Sequence, residues 1–372
     1  MRTPHRTARL ALAGATATTG LAAALGLIWL TRPDTGFFYS NPENAMLASL
    51  AGTTAATVVH TIVALLGLAA GIAALAGVVS RGAIVATAVL QVLTFGIVLG
   101  SMGTLATAGY LVAMAMPAIL LLILLQVTRR YPVARWTLGL PALLAAGAGV
   151  ILGRDAIGGV LGNLGTGLAE AWPRLVVVLL LIGVGFAWAA AAAAAAAGTP
   201  AAARATAWVT RHRKLFTVVA ALGPLPYALM RLTWLTPWSL DIPAEDLTMS
   251  TRIWGLTLSS GAWLGIVLTL GLIRRWGEVW PRWMPRVASR PVPVAAAAVP
   301  GGVVATVLIF TAVPMLYTGA REGLAEFLTA AVAFPCWFWG PALALAVWGY
   351  VGHRRGETSI PDVPASTGAA TV

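Results

Sequence analysis

The sequence predicts an all-α polytopic transmembrane helical bundle, and three observations support this fold class. Of the 372 residues, 59% are hydrophobic and 10% are charged, whereas a soluble domain carries about 25% charged residues. Several apolar runs reach the roughly 20 residues that a helix needs to cross the hydrocarbon layer. Arginine is concentrated in every second connection, as in membrane proteins whose cytoplasmic loops carry the positive charge. We predict about ten spans, with a range of eight to ten.

Ten apolar segments are long enough to be spans. They cover residues 10–30, 47–79, 83–103, 105–128, 137–153, 175–198, 215–235, 253–274, 294–317 and 328–351. The first follows Arg2, Arg6 and Arg9. It is longer than the apolar part of a cleaved signal peptide, so we predict an uncleaved span, with a signal peptide as the alternative. The second is long enough to begin with a segment in the membrane interface.

The distribution of charge predicts the orientation. With these spans, 18 of the 24 Lys and Arg residues lie on the side of both termini. The opposite side holds the other 6, together with 9 of the 12 Asp and Glu residues. We therefore predict cytoplasmic termini. The net charge of +12 then reflects topology and attraction to anionic lipid headgroups, and we predict no nucleic-acid binding.

The chain is predicted to form a single transmembrane domain, residues 1–352. Residues 353–372 are rich in Pro, Ser, Thr and Gly, which predicts a disordered cytoplasmic tail. No catalytic residue, metal ligand or cofactor is predicted, because Cys336 is the single cysteine and no phosphate-binding glycine loop, HExxH or GxSxG motif is present. The pairs Gly67/Gly71 and Gly96/Gly100 permit close helix packing.

An arginine near the outer end of a span is the strongest candidate for a substrate contact. Arg231 follows Tyr227 and the segment 223–226, Gly-Pro-Leu-Pro, whose prolines can interrupt a helix and expose backbone carbonyls. A charged residue within a span is costly, so it indicates a functional role by default. The alternatives are that Arg231 snorkels to the outer interface or forms a structural ion pair.

Four further residues complete the predicted substrate-binding set. Asp241, Glu245 and Asp246 follow in the next outer loop. They either pair with Arg231, bind a cation or act as acids and bases, or they form a solvated acidic loop. His60 lies in the middle of the second span, where it either relays protons or hydrogen-bonds a neighbouring helix.

The connection after the span 253–274 combines arginine with tryptophan, two residues that favour the headgroup layer. This composition predicts binding of anionic lipid headgroups, with a simple interfacial anchor as the alternative. The residues concerned are Arg274, Arg275, Trp276, Trp280, Arg282 and Trp283.

Residues 225–293 contain four short patterns: Pro-Tyr-Ala-Leu-x-Arg-Leu-x-Trp from Pro226, Arg-Trp-Gly-Glu from Arg275, Pro-Arg-Trp-x-Pro from Pro281 and Arg-Pro-Val-Pro from Arg290. In these patterns the chain resembles a group of uncharacterised multi-pass membrane proteins of actinobacteria. The resemblance covers under a quarter of the chain. It implies a bacterial plasma-membrane protein and no particular activity.

A small-molecule transporter is the preferred function, because about ten spans, little extramembrane mass and interrupted helices are typical of transporters. The few polar residues in the spans favour an apolar or amphipathic substrate. One alternative is a non-catalytic complex subunit or envelope-assembly factor. Another is a membrane-embedded transferase for lipid-linked substrates, indicated by Asp34 in the first outer loop. The predicted partners are the bilayer with its anionic headgroups and a small-molecule substrate.

Overall fold

The computed structural model of the chain describes residues 3–101, 103–236, 238–282, 284 and 287–357. The fold is 84% helical, and these ranges contain no β-strand. Val279 and Pro291 form an isolated antiparallel bridge. Eight helical segments are long and apolar enough to cross a membrane, judged by length and composition. The predicted all-α polytopic bundle is therefore confirmed, with eight candidate spans in the described residues.

The helices are numbered in chain order. They are α1 (Thr3–Thr31), α2 (Phe37–Ser40), α3 (Met46–Leu75), α4 (Arg81–Gln91), α5 (Gly103–Arg130), α6 (Pro132–Ala134), α7 (Leu140–Ala196), α8 (Pro200–Arg211), α9 (Arg213–Leu222), α10 (Leu225–Leu232), α11 (Met249–Gly271), α12 (Val294–Glu322), α13 (Leu324–Ala333) and α14 (Cys336–Glu357). A π-helical segment, Val92–Val98, continues α4, and a second, Arg135–Gly139, precedes α7.

The candidate spans coincide with eight of the ten predicted ones. They are Arg6–Thr31, Met46–Leu75, Arg81–Val98, Trp172–Ala196, Arg213–Leu235, Thr251–Gly271, Val294–Glu322 and Leu324–Gly356. The other two predicted spans, 105–128 and 137–153, lie on α5 and on the first part of α7 and are not among the eight.

Helix α7 differs from the sequence prediction. We expected an outer loop between the spans 137–153 and 175–198, but the backbone continues as one helix of 57 residues. At 1.5 Å per residue this helix extends about 86 Å, which far exceeds the roughly 30 Å of the hydrocarbon core. Pro173 lies inside this helix without ending it, and no other proline lies between it and Pro141 in the first turn. Glycine costs only about 1 kcal/mol in a helix interior, so the glycines of this stretch do not end the helix.

Two helix boundaries refine the prediction. Gly52 interrupts α3 with φ of 86°, a left-handed conformation that glycine adopts without a Cβ clash. The second span therefore begins with a separate short segment, as its length suggested. Helix α14 continues to Glu357, so residues 353–357 belong to this helix and not to the predicted tail. Arg354 and Arg355 in its last turn favour the negative end of the helix dipole. Residues 358–372 lie outside the described residues.

The first helix group consists of α1, α3, α4 and the second part of α7. Ala22 of α1, Ala56 of α3 and Trp188 of α7 are fully buried in its core. Trp188 Nε1 donates a hydrogen bond to Thr19 Oγ1 over 2.8 Å, which ties α7 to α1. On α3, a Cβ at Gly67 would overlap the Gln91 amide, so this glycine allows the close approach predicted from the sequence.

The second helix group is built around α9, α12 and α14. Ala220, Ala346 and Tyr350 are fully buried in its core. Helices α10 and α11 pack against each other, and α8 packs along α14. Trp348 Nε1 of α14 donates a hydrogen bond to Thr206 Oγ1 of α8 over 3.1 Å.

Phe310 joins the two groups. This α12 residue is 4% exposed, and its ring lies between Gly96 of the π-helical segment and Gly185 of α7. A Cβ at either glycine would overlap the ring. The junction therefore depends on two positions without side chains and one large side chain that fills the gap.

Candidate substrate-binding site

Besides α3, which Gly52 interrupts near its start, two candidate spans are divided into separate helices. Arg213–Leu235 is divided at Gly223 and Pro224 into α9 and α10, as the Gly-Pro-Leu-Pro segment predicted. Proline lacks a backbone N–H and its ring clashes with the preceding turn, so the helix cannot continue regularly. Leu324–Gly356 is divided at Phe334 and Pro335 into α13 and α14.

The two interruptions pack on each other. The rings of Tyr227 and Phe334 contact edge to face with centroids 4.8 Å apart. Phe334 also contacts Trp339 at 5.6 Å. Gly223 lies directly against the Trp339 ring, where a Cβ would overlap it. An aromatic surface from three side chains therefore connects the broken parts of two spans.

Arg231 lies one helical turn after Tyr227 and faces two aromatic rings. Its guanidinium carbon is 5.1 Å from the Tyr227 ring centroid and 3.9 Å from that of Trp234. Both distances are in the range of cation–π attraction. The spacings of four and three residues place the two rings on the arginine's own helix face.

Asp241 completes this group. Its Oδ2 is 3.1 Å from Arg231 Nη1, and its Oδ1 accepts a hydrogen bond of 2.6 Å from Trp234 Nε1. Both side chains of the ion pair are mostly buried, with 19% and 14% exposed. Arg231 Nη1 is not aligned for a hydrogen bond despite this distance, and Arg231 Nε is buried without a partner among the described residues. The group is therefore electrically neutral and still offers N–H donors.

Helix α11 supports the group from the side. Arg252 donates from Nη1 to the carbonyls of Trp234 and Thr236, and from Nε to the Leu247 carbonyl at 3.3 Å. Gly255 lies against the Trp234 ring, where a Cβ would overlap it. These contacts fix the ring that faces both Arg231 and Asp241.

The structure places the predicted substrate-binding residues in three different surroundings. Arg231, Tyr227 and Asp241 form one group. Glu245 and Asp246 are exposed in a short 3₁₀ helix and make no ion pair among the residues that the structure describes. The described residues also contain no group of three His, Cys, Asp or Glu side chains that could hold a metal ion.

His60 lies in the core of the first helix group, apart from these residues. Its Nε2 is 2.8 Å from the Ala22 carbonyl of α1 and its Nδ1 is 2.8 Å from the Tyr39 hydroxyl. A carbonyl oxygen only accepts, so Nε2 carries the proton and Nδ1 accepts from Tyr39. Burial raises the pKa of Tyr39, which keeps this donor protonated. Both ring nitrogens are therefore hydrogen-bonded. The bond to Ala22 of α1 is the kind of bond to a neighbouring helix that the sequence analysis gave as one alternative.

We expect His60→Phe to destabilise the protein by about 2–4 kcal/mol, because it leaves the Tyr39 hydroxyl and the Ala22 carbonyl buried without partners. Thermal unfolding in detergent micelles measures this effect. His212→Phe is the matched control, since His212 Nδ1 bonds the Trp208 carbonyl of the preceding helical turn near the surface. Equal stability of the two variants would contradict the structural role of His60.

The predicted lipid-headgroup segment begins with a short 3₁₀ helix, Arg275–Gly277. Arg274, Arg275 and Arg282 are exposed, and Trp276 packs on Gly271 with 37% of its surface exposed. The backbone N–H of Trp280 donates to the Arg290 carbonyl at 2.9 Å. Trp283 lies outside the described residues. The exposed guanidinium groups are available for headgroups, and lipid binding stays a prediction.

The fold and these groups define the class of protein: an all-α multi-pass membrane protein with two interrupted spans in contact. Comparison of the chain with protein-family models, with curated proteins and with solved structures finds no match.

Trp234, Phe334, Trp339 and Arg252 contribute to the site, although none of them was predicted from the sequence. Trp234 follows Arg231 by three residues, so the helical spacing could have identified it. Phe334 precedes Pro335, a proline in an apolar run, but its contact with Tyr227 has no sequence signal. Glu278 is the sole carboxylate between Arg274 and Arg290, and it contacts Arg213 and His353 on two different helices.

Proposed function

We propose that this protein transports a small apolar or amphipathic molecule across the bacterial plasma membrane. The observation that carries the proposal is the contact between the interruptions of two spans, through Tyr227, Phe334, Gly223 and Trp339. Discontinuous helices that meet within the membrane are typical of transporter binding sites, because the interruption exposes backbone groups and allows each half to move.

The chemistry around the interruptions supports this substrate class. The contacting surface is aromatic, and Arg231 and Asp241 neutralise each other at its outer end. The buried N–H donors of Arg231 can orient a polar group of the substrate. An amphipathic molecule would use the rings for its apolar part and these donors for its polar part.

The proposal is tested by water access to two fully buried positions on either side of the first interruption. Ala220 on α9 and Ala228 on α10 are both 0% exposed. Each is replaced by cysteine in a Cys336→Ala background, and membrane vesicles of both orientations are treated with an impermeant maleimide. Ala203→Cys and Thr236→Cys, at exposed positions, are the labelling controls.

Alternating access predicts that Ala220→Cys is labelled from the arginine-rich side and Ala228→Cys from the opposite side, both more slowly than the exposed controls. A permanently sealed bundle predicts that neither buried cysteine reacts while both controls do. That second result would overturn the transport proposal and favour a non-transporting membrane component.

A further inference from the structure

An ionic cluster lies at the arginine-rich end of both interrupted spans. Arg213 begins α9, and its Nη1 is 3.8 Å from Glu278 Oε1. His353, near the end of α14, places Nε2 3.3 Å from the same oxygen. One carboxylate, from the segment 274–282, therefore contacts both spans at once.

The segments 274–282 and 287–293 are fastened to α14 through backbone carbonyls. Tyr350 donates its hydroxyl proton to the Gly277 carbonyl at 2.9 Å. Arg354 donates from Nη2 to the Val292 carbonyl at 3.1 Å and from Nη1 to the Glu278 carbonyl at 3.5 Å. The backbone N–H of Val292 donates to the Glu278 carbonyl at 2.8 Å, which joins the two segments.

The Arg231–Asp241 pair lies near the other end of the same span as the Glu278 cluster. Arg213 and Arg231 stand 18 residues apart on one span, which corresponds to about 27 Å along an uninterrupted helix and nearly equals the hydrocarbon thickness. Each end of this span therefore carries one partly buried ion pair, Arg213–Glu278 at one end and Arg231–Asp241 at the other. The interruption at Gly223 lies between them.

We infer that the Glu278 cluster is a gate at the arginine-rich side of the transport path, with the Arg231–Asp241 pair as its counterpart at the opposite side. This inference rests on the proposed function. When the cluster is formed, Glu278 holds the ends of α9 and α14 together and closes access from this side. The Arg213–Glu278 contact spans 3.8 Å, and Arg213 Nη1 makes no hydrogen bond to the described residues, so the cluster can open without disrupting the bundle.

The gate is tested with the Ala220→Cys reporter, which lies seven residues from Arg213 and therefore about 10 Å inside the cluster. Glu278→Gln keeps the shape of the side chain and removes its charge. We expect labelling of Ala220→Cys from the arginine-rich side to accelerate about tenfold, a population change equal to about 1.4 kcal/mol. Labelling of Ala228→Cys from the opposite side should slow.

Two further variants keep the test decisive. Arg213→Gln removes the same ion pair from the other partner and should accelerate labelling in the same direction, which covers the case that Glu278→Gln does not fold. Arg204→Gln removes an exposed charge of α8 and should leave both rates unchanged.

The outcomes separate the gate from the transport proposal. Measurable labelling of both reporters in the parent protein, with the same rates in Glu278→Gln and Arg213→Gln, would overturn the gate alone. Absence of labelling in the parent and in every variant would overturn the transport proposal itself. Acceleration in Glu278→Gln and Arg213→Gln, with unchanged rates in Arg204→Gln, supports the gate.

Discussion

Replacing Arg231 by methionine should lower the stability of the protein by about 2–3 kcal/mol. Breaking a buried ion pair costs about 3–5 kcal/mol because the remaining charge has no partner, and the partial exposure of this pair reduces the penalty. The loss of cation–π attraction to Tyr227 and Trp234 acts in the same direction. Thermal unfolding in detergent micelles, followed by tryptophan fluorescence, should show a lower midpoint for Arg231→Met.

A double-mutant cycle isolates the ion pair. The double variant with Asp241→Asn removes the stranded carboxylate, so it should be more stable than Arg231→Met alone. Arg204→Met is the matched control, because Arg204 is exposed on α8 and should tolerate the change. In a growth or uptake assay, Arg231→Ala should likewise impair function more than Arg204→Ala. Equal effects at the two positions would refute the special role of Arg231.

Removing the side chain at the junction of the two helix groups should have the largest effect on stability. Phe310→Ala leaves a cavity between Gly96 and Gly185, and substitutions of this kind cost about 3–5 kcal/mol. Gly185→Leu should be at least as damaging, since its side chain would occupy the space of the Phe310 ring. Thermal unfolding in micelles measures both variants.

The junction also predicts a compensating pair. Gly185→Ala combined with Phe310→Leu should be more stable than Gly185→Ala alone, because the smaller partner makes room for the added methyl group. Val304→Ala provides the control on the same helix, at a position that is 44% exposed. If Phe310→Ala were no more harmful than Val304→Ala, the two helix groups would not depend on this contact.

Local chemistry made part of this architecture predictable. The apolar runs identified all eight candidate spans, and the Gly-Pro-Leu-Pro segment identified the interruption before Tyr227. The ion pair of Arg231 with Asp241 was one of the alternatives that their separation allowed. These features depend on neighbouring residues, where spacing along the chain determines proximity in space.

The remaining features depend on contacts between distant segments. Nothing in the sequence places Phe334 beside Tyr227 or Glu278 beside His353, because helix packing decides these pairs. The continuous helix α7 was missed for another reason. Charged and glycine residues were interpreted as a loop, although they allow a helix to continue, and the helix also runs through Pro173.

The bonding of His60 has a consequence for how the protein is made. Its two hydrogen-bond partners, Ala22 and Tyr39, both precede it in the chain. Chains are synthesised from the N-terminus, so both partners have already left the ribosome when His60 emerges. The hairpin of α1 and α3 can therefore satisfy the hydrogen bonds of its buried histidine before later helices exist. It can enter the lipid as a unit, and the later helices can then pack against this folded hairpin.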